Sequence, residues 1–210
     1  MPLQLTYIII AANVIASLYA WNHPDVWHRW QLNPYQIHHR KQYFRFITSG
    51  FIHLNYQHLI FNMLVLYFFG ETLELYFFMV FGQWSPILFL LFYFSSLVVS
   101  SLVSYWKYRD IANYNALGAS GAVSAVLFAT IFFNPWGGLE FLFLPFFSIP
   151  SIVFAVLYLI YSYYGATRHF GDGIGHDAHL FGALYGWVFP FVLNPNLGLN
   201  FLELLSHPTF

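Results

Sequence analysis

Six runs of about twenty residues pass through this chain almost without a charge, which excludes most folds open to a water-soluble protein. They lie near residues 3–19, 58–81, 85–105, 116–133, 141–163 and 176–193. An apolar helix of about 20 residues crosses the hydrocarbon core, and backbone in lipid must satisfy its own hydrogen bonds. Helices are therefore expected in all six. Charged residues make up 7% of the chain, against about 25% in an ordinary soluble domain. Pro86, Pro145, Pro150 and Pro190 fall near the ends of these segments or inside them, where neighbouring helices can re-satisfy freed backbone groups. So little polar sequence remains that a separate soluble domain has no room. The expectation is one all-α membrane domain over residues 1–210, a six-transmembrane-helix bundle with its core at about 40–193. The net charge of −1 points to no nucleic acid, and the lack of cysteine excludes disulfides and thiolate metal sites. The first residues lack the basic n-region and cleavage site of a signal peptide and read as the first span.

The loops carry a second signal. Residues 21–50 combine Trp21, Trp27, Trp30, Tyr35, Tyr43 and Phe44 with Arg29, Arg40, Lys41 and Arg45. Aromatic-plus-basic composition of that kind suits a segment lying in the membrane interface. Residues 165–175 hold four glycines. All seven Lys and Arg residues fall in the first, third and fifth loops, which the positive-inside rule alone would place in the cytoplasm.

Three constellations carry chemistry. Gly118-Ala119-Ser120-Gly121 puts a serine hydroxyl at the mouth of an apolar segment, near a helix start whose free N–H groups favour an oxyanion. The same small residues would also serve as a helix-packing seam, since Gly118/Ala122, Gly121/Ala125 and Ser120/Ser124 are spaced by four. His179, Gly182, Ala183 and Gly186 share one face of another helix, an imidazole on an otherwise bare surface able to lie against that seam. His58 and Asn62, four apart, share a face of the second segment and can donate hydrogen bonds to a carbonyl under attack, or act as interhelical glue. The ten histidines include His38-His39, His53/His58 and His176/His179, but no His-Glu-x-x-His is present. Neither Glu71 nor Glu74 has a histidine at ligand spacing on its turn, so no metal and no cofactor is expected.

In this order and spacing, Gly118-Ala119-Ser120-Gly121, Ala178-His179-x-x-Gly182 and His58-x-x-x-Asn62 resemble the rhomboid intramembrane serine proteases. The stretch from Arg45 through His53 and His58 to Asn62 is similar to that family's approach to its second helix, and Glu74 resembles the acid at that helix's far end. The resemblance covers about residues 40–190. It implies a serine endopeptidase with a Ser120–His179 dyad and no third carboxylate, with His58, Asn62 and the Ser120 N–H holding the oxyanion. Gly118, Gly121, Gly182 and Gly186 would then be structural near the site. It implies transmembrane protein substrates cleaved in or near their membrane segments, in a wet cavity that opens laterally between the second and fifth helices. The 165–175 loop would cap the site, and the Phe-rich fifth segment would bend as a gate. Two positions depart from the family pattern: Phe44-Arg45 stands for a Trp-Arg pair, and Ser124 stands where some members carry an aromatic bracing the histidine. His179 is therefore expected to be held by a hydrogen bond instead. The family places its site towards the non-cytoplasmic side, and a prokaryotic inner membrane is the expected home. The alternatives are a catalytically inactive relative that binds transmembrane clients and, more remotely, a small transporter, for which no inverted repeat is seen.

Overall fold

The computed structural model describes residues 4–141, 144–168 and 172–208. All six apolar segments contain a long helix: α1 (Leu5–Trp21), α5 (Tyr56–Phe81), α6 (Ser85–Tyr108), α7 (Ser120–Phe133), α8 (Ser151–Arg168) and α9 (His176–Leu193). Three short helices, α2 (Pro24–Trp30), α3 (Pro34–Arg40) and α4 (Arg45–Thr48), occupy the first loop, and α10 (Pro195–Ser206) follows α9. Among the described residues, the stretch Tyr56–Tyr108, running through α5, a tight 3-10 turn and α6, is long and apolar enough to cross a membrane. Helices α1 and α7 are apolar but have 17 and 14 residues.

The fifth segment corrects the expectation of a span beginning at 141. Its first part forms an antiparallel hairpin, β1 (Gly138–Phe141) with β2 (Leu144–Pro150), registered Gly138 to Pro150 and Leu139 to Ile149. Pro145 and Pro150 offer no backbone N–H, and the residue before each proline is biased towards extended backbone. Helix α8 begins only after Pro150, where Ser151 Oγ donates to Gly137 O at 2.6 Å.

The core lies between α5, α6, α7 and α9. Phe77, Phe89, Phe92 and Phe189 cluster there with rings 5.0–6.4 Å apart. Within α7, every residue from Gly121 to Phe132 is buried, so it is the central helix. Its packing against α9 is backbone to backbone. A Cβ on Gly182 would run into Gly121 O, and one on Gly186 into Ala125 O. The bare face read from the sequence is thus the face that meets α7.

At one end of the bundle the first and third loops are stitched together. Leu32 and Ala116 exchange backbone hydrogen bonds of 2.8 and 3.0 Å, and Asn33 Nδ2 donates to Ala112 O at 3.0 Å. Lys107 in the last turn of α6 and Asp177 in the first turn of α9, 3.4 Å apart, join those two helices at the same end. Arg45, despite the missing tryptophan before it, is buried and donates to Gln42 Oε1, His28 O and Gln31 O at 2.7, 3.1 and 2.7 Å. Near the opposite end, buried Glu74 caps α1, accepting from Leu5 N at 3.0 Å, Thr6 N at 2.7 Å and Thr6 Oγ1 at 2.6 Å. A carboxylate answers the positive end of that helix.

Replacing Glu74 by Ala orphans those three donors in a buried setting, where each unsatisfied group costs about 1–3 kcal/mol. Thermal unfolding in detergent should show a loss of about 3 kcal/mol or more, while Glu71→Ala, which removes an exposed carboxylate bonded to the Tyr7 hydroxyl, should change stability by well under 1 kcal/mol.

Candidate active site

A cavity of about 1130 Å³ opens at the stitched end, and all four side chains predicted to carry chemistry line it: His58, Asn62, Ser120 and His179. Each is set in place by local backbone. Ser120 is the first residue of α7, so its N–H and the next two have no intrahelical partner. The turn into it needs Gly118 at φ +114°, where a Cβ would be strained and would run into the His58 ring. Gly118 N donates to Ser49 O at 2.8 Å, fixing the approach to the helix from the first loop. His179 is the fourth residue of α9, one turn before the Gly182–Gly121 contact.

The described residues contain no hydrogen bond between Ser120 Oγ and the His179 imidazole; the two are half-buried and share the cavity. Catalytic hydrogen bonds are often long before substrate binds and tighten with it. Asn62 is buried, and its Nδ2 donates to His58 O at 2.8 Å, which holds the amide on the cavity side of α5 and leaves its second N–H. His58 Nδ1 accepts from Leu54 N at 3.5 Å, which leaves Nε2 as the protonated nitrogen of a neutral ring, beside Gly118.

The histidine is not held as expected. In place of a hydrogen bond, the ring of Tyr158 on α8 lies nearly parallel to the His179 imidazole, 6.2 Å between centroids and 22° between planes. Its hydroxyl meets Ser124 Oγ at 2.6 Å, and Ser124 Oγ donates to Ser120 O at 2.8 Å. Nothing in the sequence singled out Tyr158, one of 16 tyrosines, in an apolar segment. His176, one turn before His179, has its Nε2 3.0 Å from Asp172 Oδ2. The Ile174 N–H and His176 hold the Asp172 carboxyl below its usual range. Of the expected capping loop 165–175, residues 169–171 lie outside the described residues. His38, His39 and Asp110 bring ligand atoms within 4.8 Å of one another, away from the cavity lining.

His53 is a further residue whose role was not foreseen. Fully buried, it accepts from Ala119 N at Nε2 (3.4 Å), so its proton sits on Nδ1, 3.1 Å from Ser17 Oγ, which donates to Phe51 O at 3.1 Å. Trp21 Nε1 donates to its carbonyl at 2.7 Å. It braces the residue before Ser120 from α1. Burial, with a smaller contribution from His58, pushes its pKa down to about 3.

An unfolded histidine titrates near 6.5, so between that pH and about 3 only the unfolded chain takes up this proton. Stability from His53 is complete above pH 6.5 and should fall by about 1.4 kcal/mol per unit as pH drops through that window. Thermal melts in detergent from pH 7 to 4 should show the slope, and His53→Gln should reduce it by about 1.4 kcal/mol per pH unit.

Residues 40–196 match the Rhomboid domain family. The presenilin-associated rhomboid-like protein, mitochondrial, of Homo sapiens is 33% identical over 143 residues, covering 67% of this chain and 35% of that protein. The RHOMBOID-like protein 12, mitochondrial, of Arabidopsis thaliana is 30% identical over 148 residues, covering 65% of this chain and 42% of that protein. The match thus spans well under half the length of these relatives. Taken with the helical architecture, the match over three quarters of the sequence makes this chain a membrane-integral member of the rhomboid family.

Proposed function

We propose that this protein is an intramembrane serine endopeptidase in which all six long helices cross the bilayer. The observation that carries the reading is the placement of Ser120 at the start of α7 and His179 on the adjoining face of α9, in one cavity with His58 and Asn62. His179 takes the Ser120 proton as Oγ attacks the peptide carbonyl, then returns it to the leaving amine, and water releases the acyl group. The N–H of Ser120, the second N–H of Asn62 and His58 Nε2–H are the donors for the developing oxyanion. Substrates are transmembrane segments admitted from lipid between α5 and α8, which line the cavity with Phe61 and Val65 on one helix and Phe154 on the other. Residues 21–50 lie in the membrane interface, with Arg45 binding this loop to itself through the His28 and Gln31 carbonyls. A catalytically silent client binder is the competing reading.

A fluorophosphonate probe should label Ser120, and labelling should vanish in Ser120→Ala. Cleavage of a transmembrane reporter in proteoliposomes should be abolished by Ser120→Ala and His179→Ala, and lowered about 10²–10³-fold by His58→Ala or Asn62→Ala. Client co-purification without labelling would favour the silent binder.

The membrane we propose is a prokaryotic inner membrane, with a mitochondrial one as the alternative that its relatives' names favour. The cavity faces the non-cytoplasmic side in this reading, although the loops at its mouth carry all seven basic residues. The natural lack of cysteine makes the side directly measurable. In a prokaryotic host, Ile174→Cys at the mouth should react with an impermeant maleimide from outside, while Gln83→Cys between α5 and α6 should not. The reverse pattern would put the cavity on the cytoplasmic side.

A further inference from the structure

Tyr158 is the side chain at the cavity that the proposed chemistry leaves without a task. Its ring faces the His179 imidazole on one side and packs on Phe128 of α7 on another, 5.4 Å between centroids and 53° between planes. The single proton of Ser124 goes to the Ser120 carbonyl, so the tyrosine hydroxyl is the donor in its contact with Ser124. One residue of α8 thus faces the imidazole on α9 and, through Ser124, reaches the backbone of the serine on α7.

Two further observations give this contact a consequence. No hydrogen bond fixes a His179 ring nitrogen among the described residues, and a cavity of about 1130 Å³ leaves an imidazole room to turn. A flat aromatic face restricts that rotation. In addition, the buried positions of α8 are Ser151, Ala155, Ser162 and Gly165, all small, whereas α7 is buried along nearly its whole length. Beyond these, α8 packs through the half-buried Phe154, Tyr158 and Leu159, so it seals fewer apolar side chains than α7 and costs less to displace.

We propose that Tyr158 is the positioning residue for His179, and that the dyad is assembled only while α8 is seated against α7 and α9. Displacing α8 lifts the ring from the imidazole and idles the dyad; reseating restores it. This rests on the Ser120–His179 reading and adds to it a coupling between the helix beside the substrate route and the general base.

The test compares Tyr158→Phe, which keeps the ring and loses the hydroxyl, with Tyr158→Leu, which loses both. A small misplacement of a catalytic group costs about 10²-fold, so Tyr158→Leu should lower kcat by about 10–100-fold with KM within twofold. Tyr158→Phe should lose about threefold, and Tyr158→Met serves the same comparison should the Leu variant fail to fold. In the Ser120→Ala background, the ring-current shift on the His179 imidazole protons should persist with Phe and disappear with Leu or Met. Ala155 is fully buried and packs with Leu127 and Ala183, so Ala155→Leu raises α8 without touching His179. It should lower kcat about tenfold and add little to Tyr158→Leu. An unchanged kcat in Tyr158→Leu, an equal loss in Tyr158→Phe, or losses that multiply fully in the Ala155 pair would overturn the proposal. Wild-type protein that neither labels nor cleaves would remove the dyad reading and this proposal together, whereas an active enzyme indifferent to residue 158 would remove this proposal alone.

Discussion

The contact of α7 with α9, backbone on backbone, is the constraint from which the rest of the site follows. Gly182 and Gly186 are glycine because the carbonyls of Gly121 and Ala125 occupy the space a Cβ would need. In lipid no hydrophobic force draws helices together, so closeness of approach and the dispersion it allows must hold them. That same closeness brings the first turn of α9 beside the first turn of α7. A packing seam and a reactive pair are therefore one feature: small residues alone would give a tight helix pair, and Ser120 and His179 give it chemistry.

A helix start is a floppy place unless something fixes the chain leading into it. Here the first loop does so. Residues 116, 118 and 119 are each held through a backbone group, by Leu32, Ser49 and His53 respectively. Arg45 ties the first loop to itself by donating to two of its carbonyls. The tryptophan that the family pattern places before that arginine contributes nothing to these bonds, which come from the guanidinium, and Phe44 instead packs beneath Arg45 and Arg29 at 5.7 Å. A loop read from composition as interfacial is also the clamp on the serine.

The sequence made some of this legible and hid the rest for physical reasons. Apolar length gave the long helices, and spacing by three and four gave the bare face of α9, because helix periodicity is written directly in residue order. Resemblance alone singles out Glu74, and its capping of α1 is visible only in the fold. The hairpin before α8 is hidden because an apolar run of that kind reads alike as strand or helix; the prolines at 145 and 150 are the signal, yet a membrane helix also tolerates proline. Tyr158 was invisible for a different reason. Its importance lies in two contacts across helices, and no local pattern distinguishes it from its many aromatic neighbours. The departure at Ser124 was visible as a gap, and it is the tyrosine on α8 that fills it: a small residue on α7 leaves space for a large one opposite, and its hydroxyl gives that ring a hydrogen-bond partner.

How polar groups are distributed decides which end of the bundle can do chemistry. Along the helices many hydroxyls and amides bond to a carbonyl of their own helix one turn back: Asn13 to Ile9, Ser96 to Phe92, Ser101 to Leu97, Thr130 to Val126. Each of these donors has an acceptor, which lowers its cost in a medium of low dielectric, while the buried Asn13 Oδ1 accepts no bond among the described residues. The far half is filled by the phenylalanine cluster around Phe77. At the other end Ser100, Ser104, Asn115, Lys107 and Asp177 join the four chemical residues around one cavity. Hydrolysis needs water, and water needs polar partners and room. Among the described residues this end of the bundle offers both, whereas a serine placed in the phenylalanine-filled half, however well packed, would have a dry neighbourhood and nothing to hydrolyse with.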